Sequence, residues 1–174
     1  MNKKFSGVIA MVVGVLMLFA TAGLYAGTEV KDVIEMNNKA YAKHKKSIMQ
    51  FTHKKHAEEY AEEHPELYKR KCGECHHDKD NKPLTELKTG DEVQNCIECH
   101  KKPAEMSKQE KKEMKKAKVS KEEKKSKKLE YHAEALHYNC RDCHKLYNKK
   151  IKKMDPKPEK APTTCKQCHP KKKK

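Results

Sequence analysis

Apolar positions fall in one long run and a few short bursts. Residues 8–22 are almost wholly apolar, and Asn2, Lys3 and Lys4 give that run a basic start. Small residues follow, so Ala20-Thr21-Ala22 or Leu24-Tyr25-Ala26 offers a cleavage site. This is the order of a secretory signal peptide over residues 1–26. An uncleaved membrane anchor is the alternative, since residues 5–26 make a stretch of 22 mostly apolar positions, long enough to span a bilayer. Either reading takes the bulk of the chain out of the cytoplasm. Beyond this run, Val33, Ile34 and Met36, then Ile48, Met49 and Phe51, predict two short strands. Thr52 is a candidate N-cap for a helix over residues 53–59. From Lys71 on, the pattern predicts turns and short helical pieces around cysteine pairs, punctuated by Gly90-Asp91 and Asp155-Pro156-Lys157-Pro158. Ser120 with Glu123 has the capping-box spacing and predicts a helix running toward His137.

Composition deepens the problem this pattern poses. The 174 residues are 35% hydrophobic and 38% charged, with no Trp and 3 Phe. So few large side chains cannot offset the chain entropy of a domain this size. Something other than side-chain packing must supply the core. The formal charge is +16, and it is unevenly placed. Residues 1–100 sum to zero, whereas residues 101–130 carry +7 and residues 149–174 carry +9. Met106, Met114, Val119 and Leu129 are the main large apolar residues of segment 101–130, which therefore reads as a Lys-rich insert. A solvated helical insert plus a basic tail is one account of these segments, and an electropositive docking face is the other. Export removes the case for a nucleic-acid role despite the charge.

The chemistry lies in 8 Cys and 11 His. The cysteines form four pairs, each followed at once by His: Cys72-Gly73-Glu74-Cys75-His76, Cys96-Ile97-Glu98-Cys99-His100, Cys140-Arg141-Asp142-Cys143-His144 and Cys165-Lys166-Gln167-Cys168-His169. This is the c-type haem attachment motif four times over. Two thiols add across the two vinyl groups of one haem, two intervening residues let them do so within a single turn, and the adjacent His reaches the iron. Zinc is the first rival, because 20 residues separate Cys75 from Cys96 and 21 separate Cys143 from Cys165, as in zinc ribbons. Zinc does not call for His after every pair, and composition alone yields four such coincidences with a chance of roughly 10⁻⁵. A disulfide framework explains an even cysteine count but not the histidines. A thioredoxin-like redox pair calls for one motif and a βαβ pattern.

Four His are proximal ligands on this reading, leaving His44, His53, His56, His64, His77, His132 and His137 for the opposite faces of the irons. His53 and His56, three apart on a predicted helix, share a face and can serve two different irons. His77 follows His76 directly, so the two side chains point apart and His77 serves a second haem. His44, His64 and His132 read as surface histidines.

Phe51-Thr52-His53-Lys54-Lys55-His56, the doubled His76-His77 and the three later motifs with a His before the third resemble the tetrahaem cytochromes c3, the class III cytochromes c of sulfate-reducing bacteria. The likeness covers about residues 33–170. It implies a cytochrome c3-like multihaem fold: mostly coil and short α-helices, with a small N-terminal two-stranded β element, wrapped around four covalently bound haems. The tetrahaem domain then occupies residues 27–170, with the insert at 101–130 and a basic tail at 171–174. Position by position, the resemblance implies a first haem c on Cys72 and Cys75 with His76 and His53, and a second on Cys96 and Cys99 with His100 and His77. A third sits on Cys140 and Cys143 with His144 and His56. The fourth, on Cys165 and Cys168, takes His169 and a His before Cys140, with His137 preferred to His132. Phe51 lies between the first and third haems.

Bis-His coordination leaves no open position for a substrate, so the expected function is low-potential electron transfer in the periplasm and not bond chemistry. The resemblance also implies a place in sulfate respiration and acidic partners, such as periplasmic hydrogenase and membrane-bound cytochrome complexes. Weak contact with an anionic membrane surface is a further expectation. Two alternatives are a multihaem reductase, if one haem lacks its distal His, and a membrane-tethered relay, if the N-terminal segment stays uncut.

Overall fold

The structure, a computed structural model, describes residues 31–171. The signal or anchor segment and residues 172–174 of the basic tail lie outside the described residues. By contact, the described residues other than the short segment Thr89–Glu92 form one unit.

The entrance to this unit is a two-stranded antiparallel sheet. β1 (Ile34–Glu35) pairs with β2 (Gln50–Phe51), Ile34 opposite Phe51 and Glu35 opposite Gln50. The strands are shorter than the apolar bursts around them, although a Met36 N–H to Met49 carbonyl bond of 2.9 Å prolongs the pairing. The chain leaves β2 directly into α1 (His53–Ala57), then α2 (Glu59–Glu63). Thr52 does stand at the N-cap, but its hydroxyl does not close the first turn. It lies 3.4 Å from His56 Nδ1 instead. The helix read as continuous over 53–59 is interrupted at Glu58 (φ −114°, ψ −78°).

Three of the four cysteine motifs each make one helical turn. The first is a 3₁₀ turn (Lys71–Glu74), the second is α3 (Cys96–Cys99), and the last is α7 (Cys165–Cys168). Between them lie α4 (Lys108–Lys116), α5 (Lys121–Leu129) and α6 (His132–Ile151). The 20-residue α6 corrects the expectation of short helical pieces throughout. Its motif, Cys140-Arg141-Asp142-Cys143, contains neither Gly nor Pro and is flanked by Ala133, Ala135 and Leu136, so nothing breaks the helix. The first motif differs at Gly73, where a Cβ would meet Pro83 Cβ at 3.0 Å and the Leu84 nitrogen at 3.1 Å. A side chain here would crowd the Pro83–Leu84 segment, so glycine suits the close approach.

The helix expected to run from Ser120 toward His137 ends at Leu129, and a second one begins at His132. Ser120 caps α5 by accepting from the Glu123 N–H at 3.1 Å. Ser107 caps α4 in a full capping box with Glu110, at 3.1 and 2.9 Å. The Lys-rich insert is thus a folded helical hairpin with an apolar heart. Met106, Met114 and Tyr131 are buried there, packed with Ala104 and Val119. Its base is stitched by the Lys102 N–H to the Glu130 carbonyl (3.0 Å) and the His132 N–H to the Lys102 carbonyl (2.9 Å).

Outside this cluster, Ala135 and Ile151 are the other buried hydrophobic residues among those described. Val33, Val93, Tyr138 and Leu146 are exposed. Val93 stands three residues before Cys96, Tyr138 two before Cys140, and Leu146 two after His144. Met154 is exposed as well, so three of the five exposed large hydrophobic residues among those described stand within three residues of a cysteine motif. No helix among the described residues is long and apolar enough to cross a membrane.

Candidate haem-binding site

In each motif the two cysteines stand at i and i+3, on one face of a turn. Side chains within the motifs brace these turns. The Arg70 N–H donates to Glu74 at 3.0 Å while its guanidinium grips the same carboxylate at 2.7 and 3.1 Å. The Asn95 N–H donates to Glu98 at 3.3 Å, and the Thr164 N–H to Gln167 at 3.1 Å. The residue before the second cysteine therefore holds the backbone ahead of the first. Sequence reasoning passed over these residues, although Asn95-x-x-Glu98 and Thr164-x-x-Gln167 carry the capping-box spacing. In the third motif α6 itself supplies the rigidity, and Asp142 pairs with Lys145 at 2.7 Å.

The fold brings the histidines together in twos. His53 lies against His76 with ring centroids 6.2 Å apart, His77 against His100 at 6.1 Å, His56 against His144 at 6.2 Å, and His137 against His169 at 6.4 Å. An iron held by two imidazoles, with metal–nitrogen bonds of roughly 2.0 Å and about 1.1 Å from nitrogen to ring centre, separates the centres by roughly 6.2 Å. The four spacings match that value. Phe51 stands 5.8 Å from His53 and 4.8 Å from His56, between two of the pairs.

Hydrogen bonding orients these rings. His56 Nδ1 meets the Thr52 carbonyl (2.8 Å), His77 the Asp78 carbonyl (2.7 Å), His144 the Pro162 carbonyl (2.7 Å) and His169 the Ser47 carbonyl (2.8 Å). His100 Nδ1 meets the Leu129 carbonyl at the end of α5. A carbonyl only accepts, so in each case Nδ1–H donates and Nε2 keeps its lone pair. That is the tautomer a metal ligand needs, set by the usual backbone partner. Burial lowers the pKa of His56, His76 and His137 by disfavouring the charged ring.

The remaining histidines are engaged otherwise. His132 is buried, 7% exposed, and its Nδ1 lies 2.9 Å from the Tyr41 hydroxyl. Tyr41 also stacks on His44 at 5.1 Å and 16°. His64 takes a bond from Lys150 Nζ at 3.3 Å and packs on Tyr147. His44 and His64 are half-buried and His132 is buried, where the sequence reading had them on the surface.

No disulfide joins any of the eight cysteines. Burial pushes the Cys75 thiol up to about 12 and Cys140 up to about 11, with Cys143 thiolate charge adding to both. Cys140 also feels Cys168 and Cys96, and Asn139 beside it on α6 donates to the Cys75 carbonyl at 3.2 Å. Among the described residues no three His, Cys, Asp or Glu converge as a zinc site requires. The donor set fits bis-imidazole iron with thioether attachment: paired neutral rings, thiols beside them, and uncovered apolar residues around both.

Compared with known proteins, residues 29–169 match the family model described as the class III cytochrome C family. No curated protein and no solved structure matches.

Proposed function

The chain belongs to the class III cytochrome c family, whose members carry c-type haem and are multihaem electron carriers rather than enzymes, and on that premise we propose that this protein is a periplasmic low-potential carrier holding four bis-His haems. The observation that carries the reading is the set of four histidine pairs at 6.1–6.4 Å, each with one ring from a Cys-x-x-Cys-His motif. In this reading Cys72 and Cys75, Cys96 and Cys99, Cys140 and Cys143, and Cys165 and Cys168 attach the four groups. The iron ligands are His76 with His53, His100 with His77, His144 with His56, and His169 with His137.

Bound haem supplies a reversible one-electron couple. The chain's own residues do the rest. Carbonyl-bonded imidazoles fix the ligating tautomer, and two rings per iron exclude substrates. Adjacent residues tie neighbouring sites together. His76 and His77 belong to two pairs, His53 and His56 to two pairs, and Phe51 lies between the latter. Couples linked in this way exchange electrons over short distances.

The basic face recruits the partner. On α4, Lys108, Lys112 and Lys116 line one groove together with Gln109 and Glu113, and the exposed Lys121, Lys125 and Lys128 follow on α5. Acidic residues of the hairpin are engaged within it: Glu130 pairs with Lys102, Glu123 pairs with Lys127, and Glu110 accepts from the Tyr131 hydroxyl. The excess positive charge therefore faces outward, suited to an acidic redox protein such as periplasmic hydrogenase or a membrane-bound cytochrome complex. Such complexes are small and transient, and charge mainly raises encounter rates.

A haem count per chain with the spin state of each iron tests the reading. The expected result is four attached haems, all low-spin, with no carbon monoxide binding by the native reduced protein. A high-spin ferric band would favour a reductase with an open site. Mass of the exported protein distinguishes a cleaved carrier from a tethered relay.

A further inference from the structure

The ligand rings differ in what faces their Nδ1. Five of them, His56, His77, His100, His144 and His169, give Nδ1–H to a backbone carbonyl. His137 is different. Glu105 Oε1 lies 3.7 Å from its Nδ1, and among the described residues no other histidine of the four pairs has a carboxylate within ion-pair distance. We propose that Glu105 is a positioning and tuning residue for the iron held by His137 and His169, keeping that iron's potential lower than a carbonyl partner would. The inference rests on the His137–His169 ligation proposed above.

The physical argument has three links. First, the carboxylate 3.7 Å from Nδ1 lies beyond direct hydrogen-bond reach and acts on the imidazole through its charge, which makes the ligating nitrogen more electron-rich. A more basic ligand, with a full negative charge nearby, favours ferric over ferrous iron. Second, Glu105 is the leading charged neighbour of this ring. Arg141 opposes it and Glu134 adds to it, but Glu134 is itself paired with Lys111. Third, Glu105 is held in place although its own side chain is half exposed. Its chain neighbours are Ala104, packed on the hairpin's apolar cluster, and Met106, buried within it. The hairpin core thus fixes the backbone that presents the carboxylate. A carboxylate half in solvent is partly screened, which limits the effect without removing it.

The test uses the full holoprotein, with the four potentials resolved by redox titration followed by NMR. Glu105→Gln should raise the potential of the fourth haem alone, by roughly tenfold in the ferric-to-ferrous ratio, or about 59 mV for one electron. Glu105→Asp should recover part of the shift. Glu122→Gln, which removes the same charge from an exposed position on α5, should leave all four potentials unchanged. An unaltered fourth potential in Glu105→Gln, or an equal shift in Glu122→Gln, overturns the proposal. His137→Ala separates this from the ligand assignment: it should turn the fourth haem high-spin. If that haem stays low-spin, His137 is not its ligand and both readings fall. If it turns high-spin while Glu105→Gln does nothing, the ligation stands and the tuning role fails.

Discussion

A histidine's role in this chain follows from what its two nitrogens meet. His77 is exposed and gives Nδ1–H to the Asp78 carbonyl, and its ring centre lies 6.1 Å from that of His100. His132 is buried, but its Nδ1 is taken by Tyr41. These two rings lead to opposite expectations. His77→Ala should open the second iron, produce a high-spin signal there and raise its potential, while four haems remain attached. Persistence of a fully low-spin spectrum would show that His77 is not a ligand. His132→Ala should leave every iron low-spin but lower stability by about 1–3 kcal/mol, because Tyr41 loses its partner in a half-buried site. Denaturant titration measures that cost. An open iron in this variant would exchange the roles of His132 and His137.

At the scale of elements, the Lys-rich hairpin is the clearest departure from expectation. Its charge suggested a solvated segment, yet Met106, Met114 and Tyr131 close a small core between α4 and the start of α6. Those residues were visible in the sequence, but their spacing along one strand of sequence carries no helical period. They meet only because the chain turns back on itself at Lys118 (φ 49°) and again before His132. Glu110 ties this core to its surface. Hydrogen bonds from the Tyr131 hydroxyl and from Ser107 hold its carboxyl down at about 2, against an ordinary value of 4.5. A lowered folded-state pKa stabilises above the ordinary value and loses that contribution as pH falls through the folded one. The hairpin should therefore lose helicity between roughly pH 4.5 and pH 2. Circular dichroism with parallel haem absorption measures this. Glu110→Gln should flatten the dependence without changing haem attachment. An identical acid profile in that variant would show that other groups control the hairpin.

For the whole molecule, the governing facts are a deficient apolar core and a concentrated positive charge. The first makes folding and haem attachment interdependent, since the described residues bury few hydrophobic side chains of their own. The second predicts salt sensitivity. Electrostatic steering weakens as the screening length falls from about 30 Å at 0.01 M to about 8 Å at 0.15 M. If the proposed acidic partner is a periplasmic hydrogenase, electron transfer from it should slow by on the order of tenfold or more over that range. Lys108→Gln with Lys112→Gln and Lys116→Gln should slow it further at low salt and flatten its ionic-strength dependence. A wild-type rate indifferent to salt would remove the docking face from the account.

Sequence alone determined the attachment chemistry and the distribution of charge. Both are local: two thiols and an imidazole within five consecutive residues define a motif regardless of fold, and lysine clusters are counted without a structure. It also marked the two strands, the N-cap position of Thr52 and the side-chain cap at Ser120, because a strand or cap draws on its immediate neighbours. Tertiary structure decided what depends on distant partners. His53 meets His76, His169 Nδ1 meets the Ser47 carbonyl, and Glu105 reaches His137 across separations that no periodicity encodes. The length of α6 belongs here too, since a motif that forms an isolated turn three times is absorbed into a continuous helix the fourth. Covalent and capping preferences act over a few residues, whereas ring-to-ring contacts are selected only when the whole chain closes around its sites.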